Sequence, residues 1–449
     1  MAPEVQCADS RYTWTALVLT AVLCLSLLAW LRKALDSPAR SVHVAASGKP
    51  KKRDALLDNA KFVLVAGVTA THFLNMLRPM AGTLMMNKFG LPFCLRIFVF
   101  LSGVVSRSPP SVRAFRSLLW RVAVPFVGYC TVLASFCFEL PFKDLPTIVQ
   151  DFPKDSLLKL ANKDGAAGTA WYLQALLIWR LLGFATWHLR GWLRFLIAIG
   201  VSSIIGYVKL YEVGLDLFSL THALHSWPIF VLGQVMPWQD IVERVPRTRA
   251  SAALGFALLA LLFAIEAVDT QYLRFIDVMP SDQWGSNFRL YEMLDFGWNE
   301  ISGPRIFCDY GAMAIFFFRG LFRHSWEMTK GLILCLLCCS RERTFFTEWG
   351  TYSLYPYLLQ LFVLRCFESL YPPLWPPFLK ENSETWWGVT ASWSLYFLVV
   401  VGTCALLAWA PVRSVVALVL EPEWLWNGCM ALRARLYPSD CDADDSEGV

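Results

Sequence analysis

The sequence predicts an all-α fold, a polytopic transmembrane helical bundle of about 10–11 spans. Three observations lead there. The 449-residue chain is 56% hydrophobic and 15% aromatic but only 17% charged, a balance foreign to soluble domains. Apolar runs of about 17–25 residues recur along the whole length, each able to cross roughly 30 Å of hydrocarbon. Basic residues also concentrate in alternate short loops, which is the positive-inside pattern. The net charge of +5 lies mostly in those loops, where it sets topology and does not point to nucleic acid.

Taken in order, "YTWTALVLTAVLCLSLLAWLR" (12–32) lacks both a basic lead and a small-residue cleavage site, and Arg32 and Lys33 follow it at once. It reads as an uncleaved signal anchor with the N-terminus lumenal or outside, joined to a basic cytosolic linker ending "GKPKKRD". Residues 1–53 form this unit, and 54–422 form the main transmembrane domain. Its expected spans are 60–80, 90–106, 117–139, 170–187, 193–209, 218–236, 251–268, 303–322, 349–371 and 386–411. The loops "SRSPPSVRAFR", "HLRGWLR", "PWQDIVERVPRTR" and "RGLFRHSWEMTK" through "SRERTFF" are rich in Arg and Lys and are assigned to the cytosol. Loops 140–169, 269–302 and 372–385 carry more Asp, Glu, Pro and aromatics and fall opposite. Residues 323–340 are ambiguous, since "GLILCLLCC" can extend a span, lie in the interface or re-enter. Residues 423–449 continue a surface-lying amphipathic segment into an acidic, disordered tail ending at the cytosolic side. No internal repeat is visible, which counts against an inverted-repeat transporter.

The thirteen cysteines do not form a disulfide framework. Several lie inside apolar runs, where a free thiol acts as a small hydrophobe. No pair of CxxC motifs sits at metal spacing, so no metal site is expected. Cys335, Cys338 and Cys339, beside arginines, read either as S-acylation sites or as ordinary interfacial cysteines.

The first core span, "LLDNAKFVLVAGVTATHFLNMLRPM", holds Asp58, Lys61 and His72. Eleven helical steps separate Lys61 from His72, returning the side chain to within roughly 20° and about 16 Å further along. Asp58 lies one turn before Lys61 on nearly the same stripe. Ionisable groups at such depth are costly and usually face a protein-lined cavity. An imidazole there can act as general acid and base, or it can be a neutral histidine bonded to a neighbouring helix. Asp58 either positions Lys61 or caps the helix start with Asn59. His222 and His225 share a face before Pro228 and read as cavity lining or as interfacial anchors. Arg96, Arg121, Arg180, Arg305, Arg319 and Arg365 lie in or at the edges of spans, where some snorkel and others face inward to bind anions.

In order along the chain, "DNAKFVLVAGVTATHF", "IFVFLSG", "RVAVPF", "AWYLQALLIWRLL", "FSLTHALHSWPIFVLG", "WGTYSLYPYLLQ" and "VRSVVALVLEP" resemble the acyltransferase 3 family, in its branch of fucose 4-O-acetylase-like membrane acetyltransferases. The resemblance covers residues 54 to 422. It implies an integral-membrane O-acyltransferase taking an acyl group, usually acetyl, from cytosolic acyl-CoA to a hydroxyl of a glycan or other acceptor. Acyl-CoA is then a co-substrate, and no resident cofactor is implied. The family histidine carries over as His72, the general base of the expected mechanism. Lys61 carries over as the basic partner near the donor, and Arg121 as part of the donor-side basic loop. Arg116 joins these two against the donor phosphates, Asp58 supports Lys61, and His222, His225, Arg180 and Tyr355 line the cavity. Cys94, His222 and Gln360 stand where family members commonly carry other polar residues. A transient acyl-enzyme on a nearby Ser or Cys is an alternative, with Ser102 in a suitable motif, although Ser102–Gly103 reads more simply as close helix packing. The competing reading is a transporter of an organic anion or lipid-linked sugar. The expected location is a multi-pass position in an endomembrane or the plasma membrane.

Overall fold

The computed structural model describes residues 54–73, 92–133, 171–208, 220–268, 324–374 and 385–421. The signal anchor, the 303–322 span, the acidic tail and most of the loops opposite the basic ones lie outside the described residues. Every regular element among the described residues is helical.

The first helix, α1 (Ala55–Phe73), starts five residues before the expected span because Asp54 caps it, its Oδ1 accepting the Leu56 N–H at 3.0 Å. Hydrophobic on nearly every side, α1 is the centre of the bundle. It packs against α2 (Pro92–Val105), α9 (residues 324–338), α10 (Phe345–Thr351), α11 (Leu354–Leu374) and α12 (Trp386–Ala408). One of these contacts needs a glycine: a Cβ on Gly350 would collide with the Asp58 carbonyl, so α10 lies directly on the α1 backbone.

Helix α3 runs from Val112 to Leu133, with π turns at Leu119–Ala123 and Tyr129–Leu133. Ser111 caps it by accepting the Ala114 N–H, so Arg113 and Arg116 of the expected basic loop are already helical. Pro125 lies between the π turns; its missing N–H interrupts the ladder, and widening the helix on either side accommodates the ring. Next come α4 (Trp171–Ala185), α5 (Gly191–Val208) and α6 (Leu220–Val235). Where α2 crosses α6, Gly103 and Gly233 face each other, and a Cβ on either would strike the opposite backbone at Phe230 or Phe100. Arg107 donates to the Gly233 carbonyl at 2.9 Å and also to Met236, closing the C-terminal turn of α6.

A short α7 (Trp238–Arg244) leads into α8 (Arg249–Val268). The ambiguous stretch around 323–340 resolves as α9, an α-helix through 333 ending in a π turn, Leu334–Cys338, that packs on α8. Cys335 is buried there, leaving only Cys338 and Cys339 partly open to acylation. The expected last span divides at Trp409, whose extended backbone separates α12 from α13 (Ala410–Leu420), with Pro411 in the first turn of α13. Arg249–Glu266 and Trp387–Ala408 are long and apolar enough to cross a membrane. Leu254, Phe256 and Leu261 on α8 and Phe397, Leu398 and Leu406 on α12 point outward, as lipid-facing side chains do.

Candidate active site

Asp58 is almost wholly buried, and its Oδ1 lies 3.3 Å from Lys61 Nζ, while the Lys61 side chain keeps 24% of its surface. Thr351 on α10 reaches the other carboxylate oxygen at 3.5 Å. Asp58 therefore positions Lys61; the helix cap belongs to Asp54. Its neighbour Asn59 faces another way and forms a clasp. Its Nδ2 donates to the Ser340 and Glu342 carbonyls at 2.8 and 3.0 Å, and its Oδ1 accepts from Thr344 and Thr347 at 2.9 and 2.7 Å. All four hydrogen-bonding positions of a buried amide are thus used, and they fix the 340–344 turn onto α1.

His72 lies in the last turn of described α1, partly accessible between Thr71 and buried Phe73. One turn earlier α12 grips the helix, with Tyr396 OH donating to the Ala70 carbonyl and Cys404 Sγ to Thr69 Oγ1 at 3.4 Å. The stripe from Asp58 through Lys61 to His72 therefore runs along a helix anchored at both ends.

The other candidate residues are dispersed. Arg116 and Arg121 are exposed on α3. Arg121 and the half-buried Arg180 of α4 feel each other's charge, and Arg180 lies 6.0 Å from the Phe184 ring. Helix α3 packs on α4 and α13, so this basic pair has different neighbours from Lys61. His225 is buried, with its carbonyl accepting from Ser202 at 3.2 Å; the His222 side chain lies outside the described residues. Tyr355 is buried one turn after Thr351, within the field of Glu421. Beside it the Arg413 guanidinium stacks 3.2 Å from the Tyr352 ring centre and 4.0 Å from Glu348. Tyr355 thus belongs to the Asp58 end of the bundle.

Ser102 donates to the Phe98 carbonyl at 2.8 Å and touches Tyr172 OH. Neither partner is a base that could activate a nucleophile. Gln360 is fully buried and turns its amide back onto the Tyr357 carbonyl at 2.9 Å.

Sequence reasoning missed a buried ionic cluster joining α2, α8 and α9. Lys330 Nζ lies 2.5 Å from Glu266 and 3.3 Å from Glu327, and Arg96 lies 3.4 Å from Glu327. Trp326 donates to Glu266 at 2.7 Å, and the Phe93 and Phe263 rings sit 5.6 and 5.5 Å from the ammonium. Among the described residues two cations meet two anions there, and Cys94 is buried within the field of Glu327 and Lys330. The signal was available in part: Glu266 interrupts the apolar run "LLFAIEAV", whereas Glu327 and Lys330 sat in a stretch read as loop.

The fold and site define an all-helical bundle with an ionisable stripe on its central helix and two helices long and apolar enough to cross a membrane. Residues 54–409 match the acyltransferase domain of the acyltransferase 3 family, and the chain belongs to that family. Acyl transfer and membrane character come with that membership. Neither the curated proteins nor the solved structures give a significant match.

Proposed function

We propose that the protein is a multi-pass O-acyltransferase that moves an acyl group, acetyl in the simplest case, from cytosolic acyl-CoA to a hydroxyl of a glycan or other acceptor. The observation that carries this reading is the α1 stripe: Lys61, steered by buried Asp58, and His72 three turns beyond on the same face. The Asp58 end is cytosolic and the chain inserts with its N-terminus lumenal and its C-terminus cytosolic, in an endomembrane or the plasma membrane.

Lys61 is a point charge for a donor phosphate, and Asp58 holds it without neutralising its exposed side. Arg116 and Arg121 extend positive charge along the same membrane face. His72 takes the proton of the acceptor hydroxyl as its oxygen attacks the thioester carbonyl; the new ester forms and the CoA thiolate leaves, receiving that proton from the imidazolium. General-base assistance contributes about 10²–10⁴-fold, and positioning of both substrates contributes much of the remainder. Tyr355 belongs to the wall at the Asp58 end, and His225 and Arg180, on α6 and α4, are not reacting groups.

The test is purified protein given radiolabelled acetyl-CoA and a panel of glycan and lipid acceptors. Wild type labels an acceptor and His72→Ala does not, while both insert and melt alike; unchanged labelling by His72→Ala overturns the assignment. The buried ion cluster gives some support to the transporter reading, since ionisable groups within spans also mark transport paths. Uptake of an organic anion into vesicles, without acyl transfer, would select it.

A further inference from the structure

The N-terminus of α1, helix α7 and the turn after α9 border an open cleft of about 630 Å³, a size suited to a small-molecule ligand. Arg247, Arg341 and Arg343 line it, with Asp54, Glu243 and Glu342. Equal numbers of charges would normally pair off, yet here they do not. Among the described residues, none of the three guanidiniums has a carboxylate within 4.0 Å. Asp54 is occupied as the cap of α1, and Glu243 and Glu342 are exposed at the rim.

Arg341 is the inner charge, and it is held rigidly. The carbonyls on either side of it in the chain, Ser340 and Glu342, are both gripped by Asn59. Its own Nη1 donates to the Val242 carbonyl at 2.6 Å, tying it to α7. Its Nη2 is shut from solvent and has no hydrogen-bond partner among the described residues. Burial and the nearby Arg247 charge both push its pKa below the ordinary value, and Asp54 offsets this in part. A guanidinium fixed this way, with the exposed Arg247 lining the same cleft and donor capacity to spare, suits a tetrahedral oxyanion.

We propose that this pocket is a binding site for a phosphate group, held by Arg341 and Arg247 with Arg343 at the rim. It is separate from the Lys61 stripe and does not depend on the acyl-transfer reading. The phosphate comes from a soluble nucleotide or from an anionic lipid headgroup, since the pocket opens at a helix end beside the expected bilayer surface.

Full-length protein in phosphatidylcholine nanodiscs is titrated with adenosine 3′,5′-bisphosphate. Separately, native mass spectrometry of protein from nanodiscs containing phosphatidic acid counts retained lipid. Each is repeated with Arg247→Gln, Arg341→Gln and Glu243→Gln, and melting temperatures establish which variants are folded. Nucleotide binding weakened about tenfold or more by Arg247→Gln and Arg341→Gln, and tightened by Glu243→Gln, supports the site with a soluble source. The same pattern in lipid retention alone supports it with a lipid source. If Arg341→Gln does not fold, Arg247→Gln alone decides. Folded arginine variants that bind both probes like wild type, or a wild type that binds neither, would overturn the proposal. The His72→Ala variant keeps phosphate binding in this account, so failure of the catalytic assignment and failure of the pocket are separately visible.

Discussion

Two sets of charges sit inside this bundle, and they are built on opposite plans. The cluster of Arg96, Glu266, Glu327 and Lys330 is sealed, with the Lys330 side chain wholly buried and each ion facing an opposite one. On α1, Asp58 is equally buried but Lys61 is not, and His72 stays partly accessible. Among the described residues this cluster ties three helices together through buried ions that face one another. A lysine steered from one side keeps its other side available. Burial of charge alone therefore does not single out the proposed donor site, which differs from the cluster in the unequal burial of its two partners.

Substitutions can break this contrast. Lys330→Met removes the ammonium that Glu266 faces at 2.5 Å and leaves Glu327 with Arg96 at 3.4 Å, and removing one partner of a buried ion pair costs about 3–5 kcal/mol. A large fall in the melting temperature in detergent is expected, and Lys330→Met/Glu266→Leu should recover much of it because Arg96–Glu327 remains paired. A single variant as stable as wild type would show that the cluster is not sealed. Asn59→Ala removes four hydrogen bonds at the foot of α1 and exposes the 340–344 turn. Stability should drop by about 1–3 kcal/mol, together with faster proteolysis between residues 339 and 345. Lys61→Met should leave the melting temperature nearly unchanged and raise the KM for the acyl donor about tenfold or more, since a charge-assisted hydrogen bond is worth about 1.5–3 kcal/mol. Asp58→Asn should shift the same KM by less, because Lys61 keeps its charge and loses only its orientation. The smallest effect is expected at Arg413→Gln: the Glu348 partner is largely exposed, so the change should fall within about 1 kcal/mol.

The contrast also explains what the sequence could reveal. Spans of apolar residues are local, and helices such as Pro92–Val105 and Leu220–Val235 lie within two residues of their expected bounds. The Asp58–Lys61–His72 stripe was legible because all three residues belong to one helix, where spacing fixes their relative directions. The buried cluster was not, because its four members come from three helices and balance only once α8 and α9 pack on α2. Glu327 and Lys330 looked like loop charges because sequence alone has no means of pairing Lys330 with Glu266 on α8 or Glu327 with Arg96 on α2. Asn59 was hidden for the same reason, since its four partners all lie in residues 340–347. Helix ends were misjudged where a capping side chain extended them, at Asp54 and Ser111.

The most direct test compares His72→Ala with Lys330→Met in one experiment, measuring acetyl transfer per mole of folded protein alongside the melting temperature. The expected result is that His72→Ala melts like wild type and loses transfer by about 10²-fold or more, whereas Lys330→Met melts lower and the folded fraction transfers normally. The opposite pattern, with transfer retained by His72→Ala and lost from folded Lys330→Met, would contradict the account and move the chemistry to the buried cluster.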